Sequence, residues 1–165
     1  MRYLSGEEEG SALSFLEKAA AVAKDATCER ARCGSVIVKD GEVIGEGVNS
    51  PPGGLEGQRR CSNEKDGYHR KVTDRTCCVH AEQRAIMDAL RRNPDKVQGA
   101  RLYFVRVGEK DDPTYADAPY CTICSKMALD AGLAEFVLWH EGGVCVYDME
   151  EYNDLSFRYG RRESI

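Results

Sequence analysis

The sequence predicts a single α/β domain, residues 1–165, built on one five-stranded mixed sheet. Three observations carry that reading. Helical and strand periods follow in the order helix, hairpin, helix, strand, helix, strand, strand, which is a layered α/β order. Asp40-Gly41 lies between two β-branched runs, a two-residue hairpin signal because both central residues of such a turn take positive φ. The stretch from 100–107 through a helix to 135–139 has the form of a crossover between parallel neighbouring strands. At 165 residues, 42% hydrophobic and 31% charged, the chain is long enough to bury a core of its own.

Taken in order, residues 11–26 place Leu13, Leu16, Ala20 and Ala23 on one face of a helix, with Ser11 or Ser14 as its cap. Residues 34–49 form the hairpin. From Ser50 to Asp74 the chain is dense in Pro, Gly and charge, and neither period survives. A stretch that long in a compact domain is functional, metal-tied or disordered, and Cys61 and His69 keep the metal-tied alternative open. A second helix spans 81–92 and stops at Asn93-Pro94. Residues 100–107 are a strand, and a charged loop then leads to a third helix closed by Gly132. Residues 135–139 and 143–148 are strands, and the tail starts helical and frays.

A net charge of −5 argues against broad nucleic-acid binding but leaves room for a small phosphate. Arg30 and Arg32, just before the hairpin, are candidate monophosphate contacts. The other basic clusters, Arg59-Arg60, Arg70-Lys71 and Arg158 with Arg161 and Arg162, read as solvated surface. No apolar run reaches membrane-span length, and residues 1–10 are acidic without a signal-type apolar core, so a cytoplasmic protein is expected. In a reducing compartment, clustered members of the eight cysteines point to metal binding or catalysis. Cys145, inside an apolar run, reads as a small core residue.

The chemistry concentrates in two stretches. "CCVHAEQRAI" (77–86) sets His80 at a helix start with Glu82 two residues on. "PYCTIC" (119–124) puts Cys121 and Cys124 three apart on the first turn of another helix, so both thiols face one way. A helix N-terminus favours the thiolate, the form that binds metal. His80, Cys121 and Cys124 together offer N, S and S to a tetrahedral zinc and leave one position open, the pattern of a catalytic site. Glu82 cannot share the face of His80, which suits a proton carrier better than a ligand.

His-x-Glu followed by Pro-x-Cys-x-x-Cys resembles the motif of the zinc-dependent cytidine and deoxycytidylate deaminase superfamily. The hairpin "CGSVIVKDGEVIGEGVNSPPGG" (33–54) resembles the leading hairpin of the deoxycytidylate deaminases. The resemblance implies a cytidine deaminase-like three-layer αβα sandwich. It also implies a zinc-bound hydroxide attacking C4 of a cytosine nucleotide, dCMP above others, with Glu82 as proton shuttle. Asn49 would meet the sugar, the backbone at Ala81 would seat the ring, and a homo-oligomer is implied as well. Two departures stand out: Tyr120 intervenes between Pro119 and Cys121, and Val48-Asn49-Ser50 replaces a common Tyr-Asn-Gly. Tyr120 either lines the pocket or packs.

Some deoxycytidylate deaminases hold a structural zinc in an insert that residues 50–78 resemble in place and length. Cys28, Cys33, Cys61, His69, Cys77 and Cys78 could supply its ligands, with Cys61, His69 and Cys77 the expected members, against the alternative of buried or free thiols. Two other readings stay open for the whole chain. One is the same chemistry on a tRNA adenosine or a free nucleoside or base. The other is a non-catalytic zinc domain with a structural or binding role, which the presence of Glu82 opposes.

Overall fold

The computed structural model describes residues 1–72 and 74–160; Arg161 and Arg162 of the third basic cluster lie outside the described residues. The hairpin strands are β2 (Arg32–Lys39) and β3 (Glu42–Val48), after a two-residue β1 (Arg2–Tyr3) and helix α1 (Gly6–Ala23). Helix α2 (Ala81–Arg92), strand β4 (Arg101–Val107) and a short β5 (Pro113–Thr114) follow. Helix α3 (Thr122–Asp130), strands β6 (Glu135–His140) and β7 (Gly143–Asp148), and helix α4 (Met149–Arg158) complete the order.

The sheet runs β1-β7-β6-β4-β2-β3, with β5 paired to the last two residues of β4. It therefore has seven strands where five were expected. The five long ones are the expected five; the extra pairs, at Arg2–Tyr3 and Pro113–Thr114, are too short to show any period in sequence. β4 and β6 are parallel and joined through α3, as the crossover required. Asp40 and Gly41 turn the hairpin with φ of 50° and 78°.

Alternation along the strands sends Val36, Val38, Tyr103, Val105 and Val137 to one face, where α1 covers them alone. Ile37, Leu102, Phe104, Phe136 and Leu138 face the other way, under α2, α3 and α4. The result is a three-layer αβα sandwich. α1 begins at Gly6, well before the expected start at 11, and ends at Ala23. Ser11 and Ser14 are therefore interior rather than caps. Ser5 holds the extended cap position, and Glu7, Glu8 and Glu9 fill the first turn where the helix dipole favours acids.

Two glycines bring α2 onto the sheet. A Cβ at Gly47 would lie 2.2 Å from the Ala81 carbonyl oxygen, and one at Gly45 would lie 2.5 Å from that of Ala85. Backbone therefore packs on backbone, and the N-terminus of α2 is fixed against the end of β3. The loop between β3 and α2 is closed at its base, where the Val79 N–H donates to the Ser50 carbonyl at 3.0 Å. No helix among the described residues is long and apolar enough to cross a membrane.

Candidate metal centre and active site

His80 stands at the N-cap of α2 and Cys121 at the N-cap of α3, with Cys124 one turn on. The His80 Nδ1 is 3.2 Å from the Cys124 sulfur and 3.3 Å from that of Cys121, and the two sulfurs are 3.1 Å apart. Zn–S bonds of about 2.3 Å and a Zn–N bond of about 2.0 Å imply tetrahedral edges of roughly 3.5–3.8 Å. The donor set thus fits zinc in type and number and needs an opening of about 0.2–0.7 Å along its edges.

The same three groups share protons in a way that prepares them for a cation. A hydrogen bond from the Cys124 thiol, joined by the His80 ring, holds the Cys121 thiol down at about 4 despite its burial. The bond to Cys121 in turn lifts His80 to about 9, against desolvation. Cys124, hydrogen-bonded to Cys121 and buried, is pushed up and keeps its proton. The Cys124 N–H also donates to the Cys121 sulfur at 3.4 Å, which anchors that thiolate on the helix end.

Glu82 is buried on the first turn of α2, with 5% of its surface exposed. Burial raises its pKa, and the neighbouring Cys121 thiolate adds to the rise against the opposing charge of His80. It opens on a narrow cavity lined by Phe104, Leu138, Tyr152, Tyr120 and Arg106 among others. Tyr120 therefore lines this cavity, and it also packs, with its ring centroid 5.6 Å from that of Tyr159. Burial, and then the charge of Glu82, push its hydroxyl up to about 12. His140, at the end of β6, bonds to the Ala116 carbonyl at 2.9 Å and the Tyr147 hydroxyl at 2.8 Å, tying the residues over the cavity to the sheet.

A second thiol group forms in the long loop. Cys28, Cys61 and Cys78 have sulfurs within 4.8 Å of one another, and Cys77 lies 3.1 Å from Cys61 and 3.6 Å from Cys78. Of the expected trio Cys61, His69 and Cys77, the histidine is absent. Its ring is exposed and its Nδ1 accepts from the Lys71 N–H at 3.2 Å, a local turn contact that leads it away from the thiols. Cys28 and Cys78 take its place. Cys28 comes from the α1–β2 loop, a neighbourhood that spacing along the chain could not reveal.

Asn49 is buried at the end of β3; its Oδ1 accepts from the Cys33 N–H at 2.8 Å and its Nδ2 donates to the Ala31 carbonyl at 2.7 Å. Ala81 is fully buried as the first residue of α2. Arg30 donates twice to the Cys61 carbonyl, whereas Arg32 is spent on Asp111 and the Gly108 carbonyl. Cys145 is fully buried in the core, as its surroundings in sequence required. Two residues escaped the sequence reading. The Thr76 hydroxyl lies 3.3 Å from His80 Nε2 and donates to Asp74 at 2.6 Å. The only sequence signal was an Asp-x-Thr just ahead of the paired cysteines.

The family model described as the cytidine and deoxycytidylate deaminase zinc-binding region matches residues 10–140, and the chain belongs to this family of zinc-dependent deaminases. The chain is 33% identical to the deoxycytidylate deaminase of Mycobacterium phage D29 over 129 residues, 74% of this chain and 89% of that one. It is 32% identical to the deoxycytidylate deaminase of Saccharomyces cerevisiae over 127 residues, 74% of this chain but 35% of the yeast protein. In fold it is similar to the dCMP deaminase of cyanophage S-TIM5, solved with dCMP and dUMP. The TM-score is 0.54 at 22% identity, covering 81% of this chain and 82% of that one.

Proposed function

We propose that this protein deaminates dCMP hydrolytically, giving dUMP and ammonia, with Glu82 as the proton carrier. One observation carries the reading: His80, Cys121 and Cys124 converge at the starts of two helices beside a buried Glu82 that opens on a narrow cavity. The kinship to the phage D29 enzyme, across 89% of that enzyme's length, supports dCMP as substrate.

His80, Cys121 and Cys124 would hold zinc, which when bound supplies Lewis-acid activation of water near neutral pH. Glu82 takes one proton of the attacking water and passes it to the ring N3, then takes the proton of the hydroxyl added at C4 and passes it to the amine, which leaves as ammonia. Its pKa, raised by burial, makes it hold a proton more readily than an exposed carboxylate does, as such a carrier needs. Phe104, Leu138 and Tyr152 give the ring an apolar seat that excludes bulk water. The first N–H groups of α2, at Ala81 and Glu82, have no partner four residues back and are left to a ligand or water. Asn49, locked by its bonds to Ala31 and Cys33, is a rigid contact for the sugar.

Cys28, Cys61, Cys77 and Cys78 would hold a second zinc, a closed four-sulfur site that ties the long loop. A homo-oligomer fits the exposed aromatics Tyr115, Phe157 and Tyr159. Eight free thiols fit a reducing cytoplasm.

The test is ammonia release by zinc-loaded protein across dCMP, CMP, dCTP, cytidine, cytosine, adenine, guanine and a tRNA. Release strongest with dCMP is expected. Release from adenine or a tRNA alone, or from none of the panel with zinc bound, contradicts the proposal.

A further inference from the structure

We infer that the Tyr152 hydroxyl receives the amine leaving C4, which makes Tyr152 a second catalytic residue beside Glu82. The inference rests on the proposed reaction and names the group that holds its leaving nitrogen.

Three tyrosines line the Glu82 cavity, and they differ in what already satisfies them. Tyr115 and Tyr120 are 56% and 44% exposed, so water reaches both side chains. Tyr152 is 3% exposed, and among the described residues its hydroxyl makes no hydrogen bond; only its carbonyl is engaged, by the Ser156 hydroxyl. The Arg84 Nε is the one fully enclosed side-chain nitrogen or oxygen without a partner among the described residues. The Tyr152 hydroxyl is therefore not sealed in the core but open on the cavity. A largely buried hydroxyl without a partner costs stability, and a ligand that supplies the partner accounts for it.

The ring is held in place. It stacks on Phe136 with centroids 3.9 Å apart and planes 8° from parallel, and it meets Tyr147 edge-on at 5.6 Å. Tyr152 lies on α4, and the Ser125 hydroxyl of α3 donates to Asn153 Oδ1 at 2.8 Å. Ser125 follows Cys124 and Asn153 follows Tyr152, so this bond seats Tyr152 beside the helix that carries the cysteines. Burial raises its hydroxyl well above the ordinary 10, and the charges of Glu82, Cys124 and Cys121 add to the rise. A neutral phenol thus stands on the side of the cavity where Glu82 and the cysteines lie.

A cytosine ring attacked at C4 carries two substituents there, the incoming oxygen and the amine. The oxygen lies with His80, Cys121 and Cys124, which leaves the amine to the phenol. As the oxygen bonds to C4, the π pair of the C4–N3 bond moves to N3 and is protonated there through Glu82. The amine nitrogen, no longer conjugated, regains its lone pair and takes the hydroxyl proton through Glu82. The C4–N bond then breaks with its pair on nitrogen, a C4–O double bond forms, and ammonia departs. At that point the nitrogen bears three N–H donors and positive charge, so an acceptor oxygen binds it more strongly than it binds the substrate amine. Holding one N–H on Tyr152 also turns the lone pair towards Glu82.

The experiment compares wild type with Tyr152→Phe, which keeps the stacked ring and removes the hydroxyl. It measures kcat/KM for dCMP and for the 4-chloro analogue of dCMP, whose chloride has no N–H and leaves without a proton. It also measures the Kd for dUMP, which has no amine, and the Tm of both metal-free proteins. For dCMP, kcat/KM should fall about tenfold to a hundredfold, with the analogue and the dUMP affinity unchanged. The Tm of the variant should equal or exceed that of wild type, because the unpartnered hydroxyl is gone. An undiminished rate on dCMP, an equal loss on both substrates, weaker dUMP binding or a lower Tm would overturn the inference. If wild type turns over neither substrate, the proposed reaction fails. The Tm comparison then still decides whether the hydroxyl serves the fold instead.

Discussion

His80 Nε2 lies 3.3 Å from the Thr76 hydroxyl, and that hydroxyl donates to the Asp74 carboxylate at 2.6 Å. The tautomer that frees Nδ1 for a metal puts the ring proton on Nε2, where Thr76 accepts it, so His80 is oriented by a two-step relay from the long loop. Thr76→Val keeps the shape and removes the acceptor. Zinc affinity at the His80 centre should drop about tenfold to a hundredfold. Chelator competition on the folded variant measures it, and Thr76→Ser should restore the affinity.

Zinc uptake should strengthen as pH rises. In the metal-free protein His80 holds its proton to about 9, and Cys124 keeps its own beyond the ordinary thiol range. Both protons must leave for the nitrogen and sulfur to bind metal. Affinity should therefore climb steadily from pH 6 towards 9, with proton release on binding. Calorimetry in two buffers of different ionisation enthalpy reads that release directly, and a flat profile would contradict the shared-proton arrangement.

Metal-free Glu82→Gln should be more stable than metal-free wild type at high pH and equal to it in acid. Burial raises the Glu82 pKa above its ordinary 4.5. A group raised on folding stabilises the fold below the unfolded pKa and loses that contribution as pH climbs through the folded one. Glutamine carries no such loss. The difference in Tm should thus open on going from pH 4 to pH 8, and a difference of the opposite sign would contradict the raised pKa of Glu82.

Gly47→Ala should destabilise the fold by about 1–3 kcal/mol or more, because the new methyl must share space with the Ala81 carbonyl. Gly57→Ala, where a Cβ meets nothing within 4 Å, should be close to neutral. Urea unfolding of the pair makes the comparison. The larger loss should come with weaker zinc binding, since Ala81 follows His80 directly.

Zinc content separates the two versions of the second site. Cys78→Ser should lower the metal from two ions per chain towards one, while His69→Ala should leave two. Loss of the second ion in His69→Ala would restore the set expected from sequence.

The centre at His80 was legible because each part is local: a ligand at a helix start, and a Cys-x-x-Cys whose spacing places both thiols on one turn. α2 could be bounded at 81–92 because Asn93-Pro94 stops it. The start of α1 was misread because the serines within it resemble caps, and Ser5 with its acidic run was passed over. The thiol cluster was half legible. Cys61 and Cys77 share the loop, but Cys28 reaches them from another connection, and His69 is nearer in sequence than in space.

The most direct test of the central claim is turnover of dCMP to dUMP by zinc-loaded wild type and by Glu82→Ala, with the zinc content of both determined. The account predicts steady dUMP formation by wild type and none above background from the variant, at equal zinc. Near-normal turnover by Glu82→Ala, or a zinc-loaded wild type inert towards dCMP, would contradict it.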